Sequence, residues 1–213
     1  MTSLAEASVY FDGGELIRDA SMAERKALFL DRDGVININH GYVHTAAQTD
    51  WVTGIFELCE AARQAGYILV VVTNQAGIAR GYYSESQFLQ YTRWMHAEFA
   101  ARGVPLAATW YCPHHPQGTL AHYRIECSCR KPGPAMILAA AHALNINLNA
   151  SLLVGDKPSD IAAAIAAGIG RSVLLSEQPL PDGQALARQV SSLRDAWQAL
   201  TTGCIASPDD QHV

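Results

Sequence analysis

The sequence predicts an α/β fold built on a mainly parallel sheet, and three observations support this. Two short continuous apolar runs, ALFL at 27–30 and YILVVV at 67–72, suit strands buried on both faces. Between them Ile55, Leu58, Cys59 and Ala62 recur at helical spacing, and the segment stops at Gly66, a favoured residue just past a helix end. The third observation is that apolar runs end in polar, reactive residues: FLDRDG at 29–34, VVTNQ at 71–75 and VGDKPSD at 154–160. In open parallel sheets, ligands bind beyond the carboxyl ends of the strands, so these segments can converge on one site.

The remaining elements follow in order. Residues 1–26 are polar, with Gly13-Gly14 and no clear period, and read as a poorly ordered extension in which Met22 is an alternative start. Ser84-Glu-Ser-Gln forms a capping-box pattern that opens a helix with Phe88, Tyr91, Met95 and Phe99 on one face, ending at Gly103. A third strand follows over roughly Ala107 to Tyr111. Pro134 suits the first turn of a helix reaching Leu144, Ser151–Gly155 reads as a fourth strand, and Ser159–Ala167 as a helix closed by Gly168. Ser172–Leu175 is a fifth strand and Ser191–Leu200 a last helix. The expected organisation is one domain over 27–203 and a frayed tail over 204–213.

Composition narrows the function classes. At 213 residues the chain suits one domain with a full core, and its 49% hydrophobic and 16% charged content is ordinary for a globular enzyme. A net charge of -5 without any basic run argues against nucleic acid as a partner. No signal-peptide pattern or long apolar run is visible, so the expected location is cytoplasmic with no membrane partner. In that compartment thiols stay reduced, and a Cys/His cluster points to metal rather than to disulfides.

Asp31 and Asp33 lie two apart at a strand end, so in extended geometry both side chains leave on the same side, and Gly34 permits a sharp turn. Asp is common in turns after strands, so the bare D-x-D-G pattern also fits a solvated turn. Neighbouring carboxylates need a proton or a metal, and Asp156 at another strand end adds an oxygen donor; such hard ligands suit Mg²⁺. A hydroxyl at Thr73 and an ammonium at Lys131 suit the charge that builds on phosphoryl oxygens during in-line transfer. Asp160, four residues after Asp156, fits either an orienting role or a first-turn acid on the helix dipole.

The stretch 111–132, YCPHHPQGTLAHYRIECSCRKP, places Cys112, Cys127 and Cys129 with a histidine in a C-x-H-x12-C-x-C pattern. Three thiolates and one imidazole close a tetrahedral shell with no open position, so the expected metal is structural Zn²⁺. His114 and His115 both qualify by position. Such a clip orders a polar loop and fixes Arg130 and Lys131 directly after its last ligand. Cys59 belongs to an apolar helix face, and Cys204 is a tail thiol.

Taken together, LDRDGV, Thr73, Lys131 and GDKPSD resemble the four motifs of the haloacid dehalogenase superfamily. The resemblance implies a three-layer, Rossmann-like fold. An acid two positions after the nucleophile resembles the phosphatases of that superfamily, which implies Asp31 as nucleophile and Asp33 as general acid and base. It also implies Mg²⁺ on the carboxylates of Asp31 and Asp156 and on the backbone carbonyl of Asp33.

Longer stretches, DRDGVININHGYVH, VVVTNQAGIARGYY, YCPHHPQG and CSCRKP, closely resemble the D-glycero-D-manno-heptose-1,7-bisphosphate 7-phosphatase family over roughly 27–175. This implies a protein without a large cap domain, a zinc-stabilised loop with His114 as the ligand, and a small-molecule sugar bisphosphate as substrate. By matching motif, Asn39, His40, Gly41, Tyr42, Thr73, Asn74, Gln75 and Ala76 would touch substrate, Arg130 would bind its distal end, and Lys157 would join the phosphate and metal cluster. Asn39 stands where the family often has Asp, whereas His44 is read as ordinary loop polarity. The family's place in nucleotide-activated heptose synthesis implies a Gram-negative-type source, and the expected oligomeric state is a monomer. Histidinol-phosphate phosphatase, the nearest alternative, typically has a shorter spacer between the ligand pairs. A non-catalytic, zinc-stabilised binding module is the alternative of another class, and intact Asp31, Asp33, Lys131 and Asp156 count against it.

Overall fold

The alternation of the apolar strands divides the core into two layers of packing. The structure, a computed structural model, describes residues 8–10, 24–177 and 188–202. Along β2 (Lys26–Leu30), Leu28 and Leu30 pack on one face of the sheet while Ala27 and Phe29 pack on the other. The first face is covered by α1 (Ile55–Gln64), α3 (Glu85–Ala101) and α6 (Leu193–Thr201). The second is covered by α4 (Ala135–Leu144) and α5 (Pro158–Ala167), so the expected three-layer α/β architecture is present.

The sheet has the order β1-β4-β3-β2-β5-β6-β7 among the described residues. Its parallel members are β2, β3 (Tyr67–Asn74), β4 (Leu106–Cys112), β5 (Leu152–Gly155), β6 (Arg171–Leu175) and β7 (Arg188–Val190). From β2 the chain builds outward through β3 to β4, then returns to the other side of β2 as β5. That reversal makes the β2/β5 boundary the topological switch point, where a parallel sheet opens a crevice.

Each helix has a local cause. Ser84 caps α3 by accepting from the Gln87 amide, while the Gln87 side chain accepts from Ser84 N, as the capping-box pattern predicts. Gly168 ends α5 in the left-handed conformation at φ 82°. Pro134 precedes α4 as its cap rather than opening it, a difference of one residue from the expected position.

Three elements exceed what the apolar pattern predicts. Within the expected extension, β1 (Ser8–Tyr10) pairs antiparallel with the edge of β4, and Tyr10 packs edge-on against His96 at 4.9 Å. Short α2 (Ala76–Ala79) follows β3, and β7 adds the other sheet edge. The expected tail over 204–213 lies outside the described residues.

Candidate active site

The switch point brings the reactive strand ends together. Asp31 leaves β2, with its amide bonded to Val154 O of β5 at 3.0 Å, and Asp156 leaves β5 beside it. Gly34, at φ 104°, makes the approach possible: a Cβ there would lie 2.4 Å from Asp156 Oδ2. Asp160, in the first turn of α5, packs so closely over Gly155 that a Cβ on that glycine would lie 2.2 Å from Asp160 Cβ.

Lys131 ties this cluster together from the loop before α4. Its Nζ reaches Asp31 Oδ1 and Asp160 Oδ1, both at 2.6 Å, and donates to Val72 O at 2.7 Å. Against burial, which pulls a lysine down, the two carboxylates hold its pKa above the ordinary value. Asp160 Oδ2 also accepts from Lys157 N at 2.9 Å, so Asp160 orients the Lys131 ammonium and the Lys157 backbone.

The charges do not balance. Asp31, Asp156 and Asp160 offer oxygens within 4.8 Å of one another, against the single buried ammonium of Lys131. Lys157 Nζ adds a contact of 3.3 Å to Asp156 Oδ2 but remains half exposed. Burial, followed by the neighbouring Asp160 and Asp156, pushes Asp31 up to about 7 despite Lys131. Asp156 Oδ1 is buried without a hydrogen-bond partner. Excess negative charge and an orphaned carboxylate oxygen are what a divalent cation would satisfy, so the donor set fits the expected Mg²⁺.

Asp33 has a different set of partners from these acids. Both its oxygens accept from Arg32 Nη2 at 2.7 Å, with weaker contacts of 3.2 Å from Asn37 Nδ2 and Gln75 Nε2. Burial raises its pKa, but the Arg32 guanidinium and these donors outweigh that and hold it below the usual carboxylate value. The Asp33 side chain is thus outside the group of carboxylates that gathers around Asp156.

A cavity of about 500 Å³ opens over this cluster. It is lined by Asp31, Asp33, Thr73, Lys131, Asn39, Gly41, Tyr42, Asn74, Gln75, Ala76, Arg130 and Lys157, so nearly all residues expected to touch substrate share one space. His40 does not join them: its Nε2 pairs with Asp50 Oδ2 at 2.8 Å on the exposed side of the loop. Left-handed Gly41 (φ 81°) and Tyr42 (φ 56°) turn the loop there, so adjacent residues leave it in different directions.

Two cavity residues act differently from a simple substrate contact. Asn74 clamps the backbone of Lys131, donating to its carbonyl at 3.1 Å and accepting from its amide at 3.0 Å. Gln75 donates to Thr73 Oγ1 at 2.8 Å and accepts from Tyr83 OH at 2.6 Å. Tyr83 and Arg32 are absent from the sequence-based site; their signals were an aromatic after the IARG turn and a cation between two acids.

At the end of β4 the second expected centre gathers. Sγ–Sγ separations among Cys112, Cys127 and Cys129 are 3.1 to 3.5 Å, and His114 Nδ1 lies 3.5 Å from Cys129 Sγ and 3.8 Å from Cys112 Sγ. All of these cysteines are free thiols. Bonds from Cys112, Cys127 and His114 pull Cys129 down to about 5, whereas the same sharing and burial raise Cys112. His115 is directed elsewhere, its Nδ1 accepting from Gln117 N at 3.0 Å. Cys59 is buried in the core, where burial raises its thiol to about 12.

Comparison with known proteins shows the family. An HAD-hydrolase-like family model matches residues 128–178. The D-glycero-β-D-manno-heptose-1,7-bisphosphate 7-phosphatase of Vibrio cholerae serotype O1 is 48% identical over 174 residues, covering 80% of this chain and 94% of that protein. The chain belongs to the heptose-1,7-bisphosphate 7-phosphatase family. Another member, the α-anomer enzyme of Burkholderia mallei, is 50% identical over 155 residues, 73% of this chain and 82% of that protein. The crystal structure of the D,D-heptose 1,7-bisphosphate phosphatase of B. bronchiseptica, complexed with magnesium and phosphate, superposes with a TM-score of 0.67 at 28% identity, covering 81% of this chain and 96% of that one. The haloacid dehalogenase fold expected from the motifs is therefore the fold of this family member.

Proposed function

We propose that this heptose-bisphosphatase family member is a Mg²⁺-dependent phosphoric monoester hydrolase that removes the C7 phosphate of D-glycero-D-manno-heptose 1,7-bisphosphate. The observation that carries the reading is the joining of Asp31, Lys131 and Asp160 at the mouth of a cavity also lined by Thr73 and Asp33. Asp31 Oδ attacks phosphorus as the bond to O7 breaks, giving an aspartyl-phosphate and the heptose 1-phosphate alcohol. Asp33 delivers a proton to O7, then takes one from the water that attacks phosphorus and releases inorganic phosphate.

Asp33 is held as a carboxylate at rest, the form needed for its base role in the second step. For the first step it must gain a proton, which a monoanionic phosphate can bring. Thr73 Oγ and Lys131 Nζ line the cavity and would donate to the phosphoryl oxygens, Lys131 by releasing one of its three present partners, while Asn74 holds the Lys131 backbone. Asp31, Asp156 and the Asp33 carbonyl would hold Mg²⁺, which would supply positive charge against the phosphoryl group. Zn²⁺ on Cys112, His114, Cys127 and Cys129 is structural, Arg130 takes the distal phosphate, and the enzyme acts as a cytoplasmic monomer.

Among the described residues no helix is long and apolar enough to cross a membrane. The deciding experiment compares kcat/KM for phosphate release with Mg²⁺ from both anomers of heptose 1,7-bisphosphate and from histidinol phosphate. Preference for a heptose anomer supports the reading, and preference for histidinol phosphate overturns the substrate while keeping the mechanism.

A further inference from the structure

Arg32 is among the largest fully buried side chains of the protein, with no exposure to solvent. Its charge is met by Asp33, but Nε and Nη1 are buried without a hydrogen-bond partner, so Nη2 carries its hydrogen bonds. Here Nη2 makes three contacts of 2.7 Å at once, to both oxygens of Asp33 and to the carbonyl of Val43. The planar group is braced from α3, with Tyr91 and Phe88 rings centred 5.1 and 5.7 Å from Cζ. Val43 belongs to the loop that presents Asn39, Gly41 and Tyr42 to the cavity.

We propose that Arg32 is a positioning residue that couples the acid/base carboxylate of Asp33 to the substrate-facing loop. One nitrogen joins the two, so a shift of Val43 moves the partner that sets the direction of Asp33. Arg32 itself does not line the cavity and acts through Asp33 rather than on the substrate. Asn37 and Gln75 hold Asp33 only at 3.2 Å, so they do not replace this link. The inference rests on the phosphatase reading, but its test separates the two.

The test uses Arg32→Lys, which keeps the charge but is shorter and lacks the flat group braced by Phe88 and Tyr91, so its nitrogen no longer sits between Asp33 and Val43 O. On an alkyl phosphate substrate of the wild-type protein, kcat falls by about tenfold or more while KM stays within about threefold, as for a misplaced acid and base. On p-nitrophenyl phosphate, whose leaving group needs no proton, the variant releases a stoichiometric burst of p-nitrophenolate followed by slow turnover. That burst places the loss in the water-attack step, and a structural disturbance of the cavity would not create it.

Arg32→Lys combined with Asp33→Asn is expected to be no slower than Asp33→Asn alone. Equal losses on both substrates without a burst, or multiplying losses in the double variant, would overturn the proposal. Should Arg32→Lys fail to fold, Tyr91→Leu removes one brace and leaves Arg32 in place. It should give the same substrate dependence at smaller size, and its absence in a folded Tyr91→Leu protein would equally reject the coupling. Failure of wild-type protein to release phosphate from either substrate with Mg²⁺ would instead reject the phosphatase reading itself.

Discussion

The carboxylate cluster and the cysteine loop lie on either side of Lys131, yet they are held by different means. The first sits on the ends of β2 and β5, whose residues are fully paired and almost wholly buried, so its geometry is inherited from the sheet. The second spans residues 112–129 with a single 3-10 turn, Ala121–Tyr123, as its regular structure. Its fixings are local: Leu120 N to Ala79 O, Thr119 Oγ1 to Arg80 O, and Tyr123 OH to Glu85 Oε2 at 2.7 Å. A site on rigid strands can tolerate loss of its metal, whereas a loop with little core of its own depends on its cross-link.

The sharpest break of this comparison is Asp31→Asn. Turnover should fall by on the order of 10⁴-fold or more, since the proposed nucleophile is gone. Folding should survive, because Lys131 keeps Asp160 and Val72 O as partners. Phosphate release and a melting curve on the same sample check both halves; a protein that loses its fold would mean the cluster is not carried by the sheet.

Cys129→Ser addresses the other region. With a hydroxyl in place of the thiol that contacts Cys112, Cys127 and His114, bound zinc should be lost and the melting temperature should drop, which is not expected for Asp31→Asn. Catalytic efficiency should fall roughly tenfold to a hundredfold, less than for the nucleophile, because only the placement of Arg130 and Lys131 suffers. Metal analysis, melting and kinetics together decide whether the centre is structural; full activity after zinc loss would show that the loop holds itself.

The two regions also differed in how legible they were. Asp31 and Asp156 stand in short patterns at strand ends and the cysteines in a short local spacing, and the structure brings each set together. The parts that escaped depend on contacts distant in sequence. Asn74 meets the Lys131 backbone 57 residues away, a partnership no local pattern announces. Arg32 reads as a polar residue in a turn until Phe88, Tyr91 and Val43 are seen to enclose it. His40 pairs with Asp50 on the exposed part of the loop, a partner ten residues away that the motif does not announce. The edge strands β1 and β7 have three residues each, too short for an alternating pattern to register.

Gly34→Ala sharpens the comparison within the carboxylate cluster. A Cβ would meet Asp156 Oδ2 at 2.4 Å, and φ 104° is itself unfavourable for alanine, at a cost of about 1–2 kcal/mol. The pair must separate, so the Mg²⁺ concentration for half-maximal activity should rise by roughly tenfold. Zinc content should stay unchanged, and a magnesium titration beside metal analysis tests this; an unaltered magnesium requirement would remove Asp156 from the metal site.

The smallest effect concerns protons. Asp31 is raised from 3.8 to about 7 by burial and its acidic neighbours, so the folded protein holds a proton there that the unfolded chain has released. Its contribution to stability is fully present below pH 3.8 and is lost as pH rises through about 7, where the carboxylate must ionise within the cluster. Mg²⁺ competes with that proton, so magnesium should raise the melting temperature clearly at pH 8 and little at pH 5. In Asp31→Asn the difference between the two pH values should shrink, since that variant has no carboxyl to titrate. An equal magnesium effect at both pH values in the wild-type protein would mean that Asp31 is already ionised without the metal, and that Lys131 alone balances the charge of the strand-end site.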